Sequence, residues 1–276
     1  MLDVSSYYDE LHRWTHKDKD FQAFSGVESD AIHRFLVNEE TGQFSPDTIY
    51  NFIDPFIPPN GQTRGLDAGC GYGGACFRNV KVHGGEWTGL TISQEQWQRA
   101  KWLASSRGLQ DSLQFYLRSY DEALSARYNI ILGIESLIHS ADPAHTVANL
   151  AASLDRGGRL VIIDDMPVTP LDGEDLRLFD EFRKCWRCPR APSAEEWAIH
   201  AGSAGLRLTA AIDLTHLMRP RSEKDLDAAL VDLTSQREAK TASGFARLSD
   251  AEIGGLHLER LHGRGKMRYK MLVFEH

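Results

Sequence analysis

Long apolar runs are missing from these 276 residues, and so are basic blocks. No run approaches the roughly 18 apolar residues that cross a bilayer. The opening, MLDVSSYYDELHRW, has no basic stretch leading into an apolar one, so it does not read as a secretion signal. The chain is therefore expected to be soluble and cytoplasmic. Its net charge is −8, and without a basic patch it is not expected to bind nucleic acid. A local basic pocket would still allow an anionic small molecule. Cysteine is scarce: Cys70, Cys76, Cys185 and Cys188 do not make a disulfide framework in a chain this long. Cys185-Trp-Arg-Cys188 is a lone CxxC. Zinc needs about four ligands, and no second CxxC or paired HxxxH accompanies it. It reads as two thiols on one helix face. Repeats and low-complexity tracts are also missing.

What is present is a 42% hydrophobic composition, enough for one large core. From about residue 62 strands and helices alternate. Strands are expected at 63–68, 86–92, 112–117, 128–134, 159–163, 206–214 and 269–275. Helices are expected at 73–80, 93–107 with Ser93 and Gln96 as a capping box, and 142–154 with Gly157-Gly158 ending it. Such alternation predicts an α/β fold with a parallel sheet covered by helices on both faces. Residues 1–60 read as a helical N-terminal region, with Ser45-Pro46 as an N-cap and N1 pair. Residues 61–276 form the main domain. A polar helical insertion occupies about 166–250. In it Ser193 to Glu196 caps a helix ending near Gly202, and a charged cap over 216–243 is ended by Gly244.

The first of these strands runs into Gly65-Leu-Asp67-Ala-Gly69-Cys-Gly71-Tyr-Gly73-Gly74. Glycines here let the backbone turn sharply and let a ligand come close. Gly69, Gly71 and Gly74 also satisfy GxGxxG, the dinucleotide spacing, so spacing alone does not decide. Asp67 does more: it would repel a pyrophosphate and suits a cationic ligand such as an amino-acid ammonium.

LDAGCGYGG resembles the first motif of the class I S-adenosylmethionine-dependent methyltransferases, an acidic residue followed by GxGxG at the end of strand one. The resemblance covers roughly residues 60–165. It implies a Rossmann-like methyltransferase sheet with a helical N-terminal lid and a helical insertion after strand five. It also implies S-adenosylmethionine as cofactor, held by Asp67, Gly69, Gly71 and, on strand four, Gly133. Strand two ends GLTISQEQ, without the acidic residue common there. That form is similar to the cyclopropane synthase, sterol, tocopherol and prenyl-diphosphate C-methyltransferases, and it implies cofactor roles for Thr91 and Gln96. For Gln96 the capping box is the competing role. After strand three, Arg118 and Ser119 are implied to flank the adenine, unless Asp121 serves as the acidic residue of that motif.

Strand four, YNIILGI, is continuously apolar and then meets Glu135, with Ser136 and His139 following. In open α/β sheets ligands lie beyond the carboxyl ends of the strands, so Glu135 belongs near the transferable methyl. The stretch resembles the "ES" or "EA" followed by His of the sterol, tocopherol and prenyl-diphosphate enzymes. An alkene that attacks a methyl group leaves a carbocation and then loses a proton, and a carboxylate serves both needs. Glu135 and His139 are the catalytic candidates. The plainer roles are a backbone hydrogen bond that holds a helix start for Glu135, and structural hydrogen bonding for His139.

The aromatic candidates are Tyr7, Tyr8, Phe21, Phe24, Phe35, Phe179, Phe182 and Trp186, with Tyr7 and Tyr8 preferred as substrate-binding lid residues. Arg219 and Arg221, with Arg34, form a basic set that suits an anionic group; solvated surface charge is the plainer and favoured reading. A prenyl diphosphate would bring Mg2+ as a bridge. Asp164-Asp165 is expected to end strand five and cap the next loop. The favoured activity is C-methylation of an isoprenoid alkene with Glu135 as base; O- or N-methylation of a natural product is the alternative. The partner is a small-molecule acceptor, and a homo-oligomer stays open.

Overall fold

A strand that is apolar on both faces must lie inside a layered structure, and Tyr128–Ile134 does. In the computed structural model, which describes residues 4–15, 30–59, 61–239 and 243–276, this strand lies at the middle of a seven-stranded sheet. The elements, in chain order, are α1 (Val4–Thr15), β1 (Leu36–Val37), β2 (Phe44–Ser45), α2 (Tyr50–Ile53), β3 (Arg64–Ala68), α3 (Gly74–His83), β4 (Glu86–Thr91), α4 (Gln94–Ser106), β5 (Leu113–Leu117), β6 (Tyr128–Ile134), α5 (Pro143–Ala152), β7 (Leu154–Pro167), α6 (Gly173–Trp186), α7 (Ala194–Ser203), β8 (Arg207–Asp213), α8 (Glu223–Ala239), α9 (Ser243–Gly263) and β9 (Met267–Glu275). The sheet order is β5-β4-β3-β6-β7-β9-β8. β9 runs antiparallel to both neighbours, and the other pairings are parallel.

Period-two alternation divides the sheet residues between two cores. Ile130, Leu132, Ile134, Val161, Ile163, Tyr269, Met271 and Val273 face one, which also takes Leu36, Ile49 and Ile53 from the N-terminal segment. Ile131, Leu160, Ile162, Leu272 and Phe274 face the other, against α5 and α7. A third cluster joins Ile138, Phe179, Phe182, Leu258 and Leu261 beneath the insertion.

The order reverses between β3 and β6, which pair at Asp67 and Leu132. The carboxyl ends of these two strands therefore open side by side, where such a fold receives ligands.

Several expectations change. Residues 36–45 form a small antiparallel hairpin, not helix. Ser45 ends its second strand and caps nothing helical: its Oγ accepts from the Asp47 amide at 3.1 Å, and α2 begins only at Tyr50. α5 stops at Ala152. The Gly157-Gly158 pair lies in the irregular start of β7, with Gly157 at φ 74°. Gly244 opens α9 rather than ending a cap, and the helical part of the chain runs on to Gly263. α8 and α9 are laced by Arg221–Glu259, Arg260–Asp227 and Arg264–Glu223. Cys185 is in α6, but Cys188 lies beyond its end, after Arg187 turns left-handed at φ 59°, so the two thiols do not share a helix face. The Ser193–Glu196 capping box forms as expected.

Candidate active site

Beyond the ends of β3 and β6 lies a cavity of about 400 Å³. One wall is the glycine loop. Gly69 and Gly71 have φ of 96° and 54°, the left-handed region that favours glycine. A Cβ on Gly69 would lie 2.4 Å from Ser136 Cβ, because Ser136 folds over the loop to donate to the Ala68 carbonyl at 2.5 Å. Asp67 is buried at the root of the loop and lines the cavity. Its side-chain neighbour is a weak donor, Cys76 Sγ at 3.9 Å. Burial pushes its carboxyl up to about 7, and Cys76 offsets this only in part.

Thr91 and Gln96 meet on the next wall, Thr91 Oγ1 donating to Gln96 Oε1 at 2.8 Å. Only half of the expected capping box exists. Ser93 Oγ accepts from the Gln96 amide, whereas the Gln96 side chain turns to Thr91 and the cavity. Past β5, Arg118 and Tyr120 line the cavity. The structure does not bring Ser119 there: its amide donates to Glu122 and its hydroxyl meets Asp121. Asp121 in turn receives the Thr146 hydroxyl and holds α5. Gly133 is buried within β6, where its missing Cβ makes room for Leu137 at 2.6 Å, so it packs the core rather than lining the cavity.

Glu135 stands at the mouth of β6 with φ 48°, a conformation uncommon for a residue with a side chain. Its amide donates to the Ile163 carbonyl at 2.8 Å, continuing the sheet. Its Oε1 accepts from Tyr269 Oη at 2.7 Å and from the Arg34 amide at 2.9 Å. Asp164 and Asp165 do not end β7; they lie within it and line the same cavity. Asp164 accepts from the Ile138 and Asp165 amides at 3.0 Å. Burial, with Asp165 and Glu135 beside it, pushes its carboxyl well above the usual range. Asp165 is equally buried, which opposes ionisation, but Arg34 and His262 hold its carboxyl well below that range.

Arg34 is spent on this pairing. Its guanidinium takes both Asp165 oxygens, at 2.8 and 3.0 Å. Arg219 reaches toward the Gly42 carbonyl, and Arg221 forms a fork with Glu259; neither belongs to the cavity wall. The expected basic pocket for an anion is therefore not assembled at the cavity.

α1 covers the open side. Ser5 Oγ donates to the Ile92 carbonyl at 2.8 Å, and Asp9 accepts from the Ser93 hydroxyl and the Glu95 amide. Tyr7 and Tyr8 line the cavity, their rings edge-on at 5.2 Å. Tyr8 Oη lies 2.6 Å from His139 Nε2, and the other ring nitrogen, Nδ1, faces the Arg187 carbonyl at 3.3 Å. A carbonyl only accepts, so Nδ1 carries the proton and Nε2 accepts from Tyr8. Burial lowers the His139 pKa to about 4, against the opposing pull of that carbonyl, so the ring is neutral. Trp186 also lines the cavity, its Nε1 donating to the Ala251 carbonyl at 2.8 Å. Phe179 and Phe182 belong to the core beneath the insertion, and Phe35 is half-buried outside the cavity wall. Phe21 and Phe24 lie outside the described residues.

The sheet order, the reversed last strand and the glycine loop at the β3 terminus define the class I methyltransferase fold. Residues 57–164 match the family described as mycolic acid cyclopropane synthetase. Over residues 57–164 the chain resembles that family, and its sheet has the class I S-adenosylmethionine-dependent methyltransferase fold. Among curated proteins it is 29% identical over 171 residues to 27-O-demethylrifamycin SV methyltransferase of Amycolatopsis mediterranei, covering 59% of this chain and 61% of that one. Among solved structures, geranyl diphosphate C-methyltransferase from Streptomyces coelicolor superposes with a TM-score of 0.69 at 15% identity, covering 99% and 96% of the two chains. The [4+2]-cyclase SpnF superposes with a TM-score of 0.71 at 18% identity, covering 99% and 94%. Likeness to these structures extends to the fold.

The residues present fit the cofactor. A buried carboxylate whose side-chain hydrogen-bond partner is a weakly donating thiol is suited to an ammonium, and the glycine loop beside it leaves the wall open to close approach. For Mg2+ the fit is poorer. Among the described residues no group of three His, Cys, Asp or Glu side chains is placed to hold a metal ion. No helix among them is long and apolar enough to cross a membrane.

Sequence reasoning missed Tyr269, Asp165, His262 and Tyr120. Tyr269 reads as an ordinary member of the last strand and Asp165 as a loop cap at the end of strand five, and no local signal marks either for the site. Their roles come from register alone, since β7 and β9 pair at Asp165 and Tyr269.

Proposed function

We propose that this protein transfers the methyl group of S-adenosylmethionine to a small, largely apolar molecule that carries no anionic group at its reacting end, with Glu135 as the proton acceptor. The observation that carries this reading is the pinned Glu135 carboxylate on the wall of the cavity that the glycine loop also lines. When bound, the cofactor supplies an electrophilic methyl group on a positively charged sulfur. Asp67 holds the cationic amino-acid end, Thr91 and Gln96 bound the ribose side, and Arg118 and Tyr120 bound the base.

On the acceptor side stand Glu135 and Asp165, the latter already paired with the guanidinium of Arg34, while Asp164 is pushed toward its neutral form. Such surroundings favour positive charge that develops during reaction and disfavour a diphosphate. They suit an alkene. Its π electrons would form the new carbon–methyl bond as the sulfur–methyl bond breaks and neutral S-adenosylhomocysteine departs; the adjacent carbon becomes cationic, and Glu135 removes a proton from its neighbour to restore a double bond. Tyr7, Tyr8 and Trp186 offer ring faces and edges around that centre and, with α1, exclude water.

A second reading rests on the same carboxylates. An amine becomes cationic as it is methylated, so N-methylation would be stabilised in the same way; the relatives include ajmaline N-methyltransferase of Rauvolfia serpentina. The deciding experiment is a labelled-methyl screen across terpene alkenes, sterols, phenols, amines and prenyl diphosphates. Glu135→Gln should lower kcat on the accepted substrate about 100-fold or more with KM for S-adenosylmethionine little changed. Undiminished turnover would end the role of Glu135. Turnover of the diphosphates alone would end the charge argument.

A further inference from the structure

We infer that Tyr269 is a positioning residue for Glu135: with the Arg34 amide it occupies Oε1, so that Oε2 is the oxygen presented to the acceptor. The inference rests on the reading of Glu135 as proton acceptor and extends it to a residue outside the motif.

Tyr269 Oη and Arg34 N both meet the same carboxylate oxygen, at 2.7 and 2.9 Å, and neither is directed at Oε2. The two donors come from opposite ends of the chain, 134 and 101 residues from Glu135. A carboxylate held at one oxygen by two donors loses its freedom to rotate, and the other oxygen takes a fixed direction.

The donor itself cannot swing away. Tyr269 is fully buried in β9. The Arg34 guanidinium lies over its ring, 4.7 Å from the centroid. That guanidinium is fixed by both Asp165 oxygens, and Asp165 Oδ1 also meets His262 Nε2 at 2.7 Å. Arg34 therefore acts twice, its backbone on Glu135 and its side chain on the tyrosine that shares the same oxygen. The left-handed backbone of Glu135 turns its side chain into this clamp at the strand mouth. A phenol that donates to a carboxylate favours the ionised form. The charged and titratable groups around Glu135 are Arg34 from the N-terminal segment, Asp164 and Asp165 from β7, and Tyr269 from β9.

The test uses the full chain saturated with S-adenosylhomocysteine and labelled with carboxyl-13C glutamate. The Glu135 signal is the one that disappears in Glu135→Gln. In Tyr269→Phe this carboxyl signal should move from its wild-type position and broaden as the side chain regains rotation, while the S-adenosylhomocysteine Kd stays within about twofold of wild type. Replacing Tyr269 by 3-fluorotyrosine keeps the shape and strengthens the donor, and should move the signal in the opposite sense. A signal unmoved in both variants, or a change in cofactor affinity without one, overturns the proposal. Turnover separates the two readings. If Tyr269 acts through Glu135, then Glu135→Gln/Tyr269→Phe is no slower than Glu135→Gln. If Tyr269→Phe costs the same factor in both backgrounds, Tyr269 acts independently and the positioning role is overturned. If Glu135→Gln alone turns over normally, the base assignment fails, and the positioning role falls with it.

Discussion

Tyr8 and His139 lie 131 positions apart in the chain and 2.6 Å apart in the fold. Through this bond α1 is fastened to the turn that follows β6, the structural hydrogen bonding that is the plainer role for His139. His139 Nε2 can reach an acceptor only if Tyr8 leaves it. Tyr8→Phe should loosen α1 and cost about 1 kcal/mol of stability, the worth of one hydrogen bond. Urea unfolding measures this. A raised KM for the acceptor with unchanged cofactor affinity would accompany it.

The same residue predicts a pH dependence. His139 is neutral in the fold because its pKa is lowered from 6.5 to about 4. The unfolded chain binds its proton below 6.5, so the stability it contributes is present above that pH and is lost as pH falls toward 4. The total is on the order of 3 kcal/mol. Unfolding free energies measured between those limits should slope less steeply with pH in His139→Gln. Parallel slopes in the two proteins would refute a buried, neutral imidazole.

Asp67 carries the opposite sign. Its pKa is raised to about 7, so in the unliganded fold its contribution is lost as pH rises from its ordinary 3.8 through 7. A cationic cofactor favours the ionised form. S-adenosylmethionine affinity should therefore climb with pH up to about 7, by at most about tenfold per unit, and level off above it. Asp67→Asn should bind at least about tenfold more weakly and lose this dependence. Calorimetry across the range decides it.

Gly69→Ala should cost roughly 1–3 kcal/mol from backbone strain at its positive φ. It should also push Ser136 off the Ala68 carbonyl, because the new Cβ would meet Ser136 Cβ. Cofactor affinity should fall more than thermal stability does. Equal affinity in a well-folded variant would show that the loop tolerates a side chain there.

Removing one partner of the buried Arg34–Asp165 pair leaves a charge stranded. Asp165→Asn should destabilise by about 3–5 kcal/mol, far more than Arg221→Ala, whose pair with Glu259 is half exposed and worth about 1 kcal/mol or less. Denaturant melts of the two variants give the comparison.

The strands and the glycine loop were readable because each has a local cause. β6 was bounded correctly at both ends because an apolar strand buried on both faces stops where the first charge appears. The Asp67–Gly71 loop was readable because positive φ and a buried carboxylate leave their mark in adjacent residues. Ser45-Pro46 misled because its cap pattern serves a turn equally well. Arg219 and Arg221 are exposed, as solvated surface charge would be, and a basic cluster in sequence carries no record of the carboxylate that pairs with Arg221, Glu259 on α9. Gly133 looked like part of a ligand wall, but its lack of a side chain serves Leu137.

What the amino-acid order determined by itself is everything of short range: the alternation of strand and helix, the bend that follows β3, and the arrival of Glu135 at the end of β6. What only the tertiary structure decided is which way that carboxylate is held and which cations remain free to meet a substrate. Tyr269, Arg34 and Asp165 reach the site from the last strand, the N-terminal segment and β7. Their meeting depends on strand order and register, which are set by the packing of the whole sheet and are written in no single stretch of the chain.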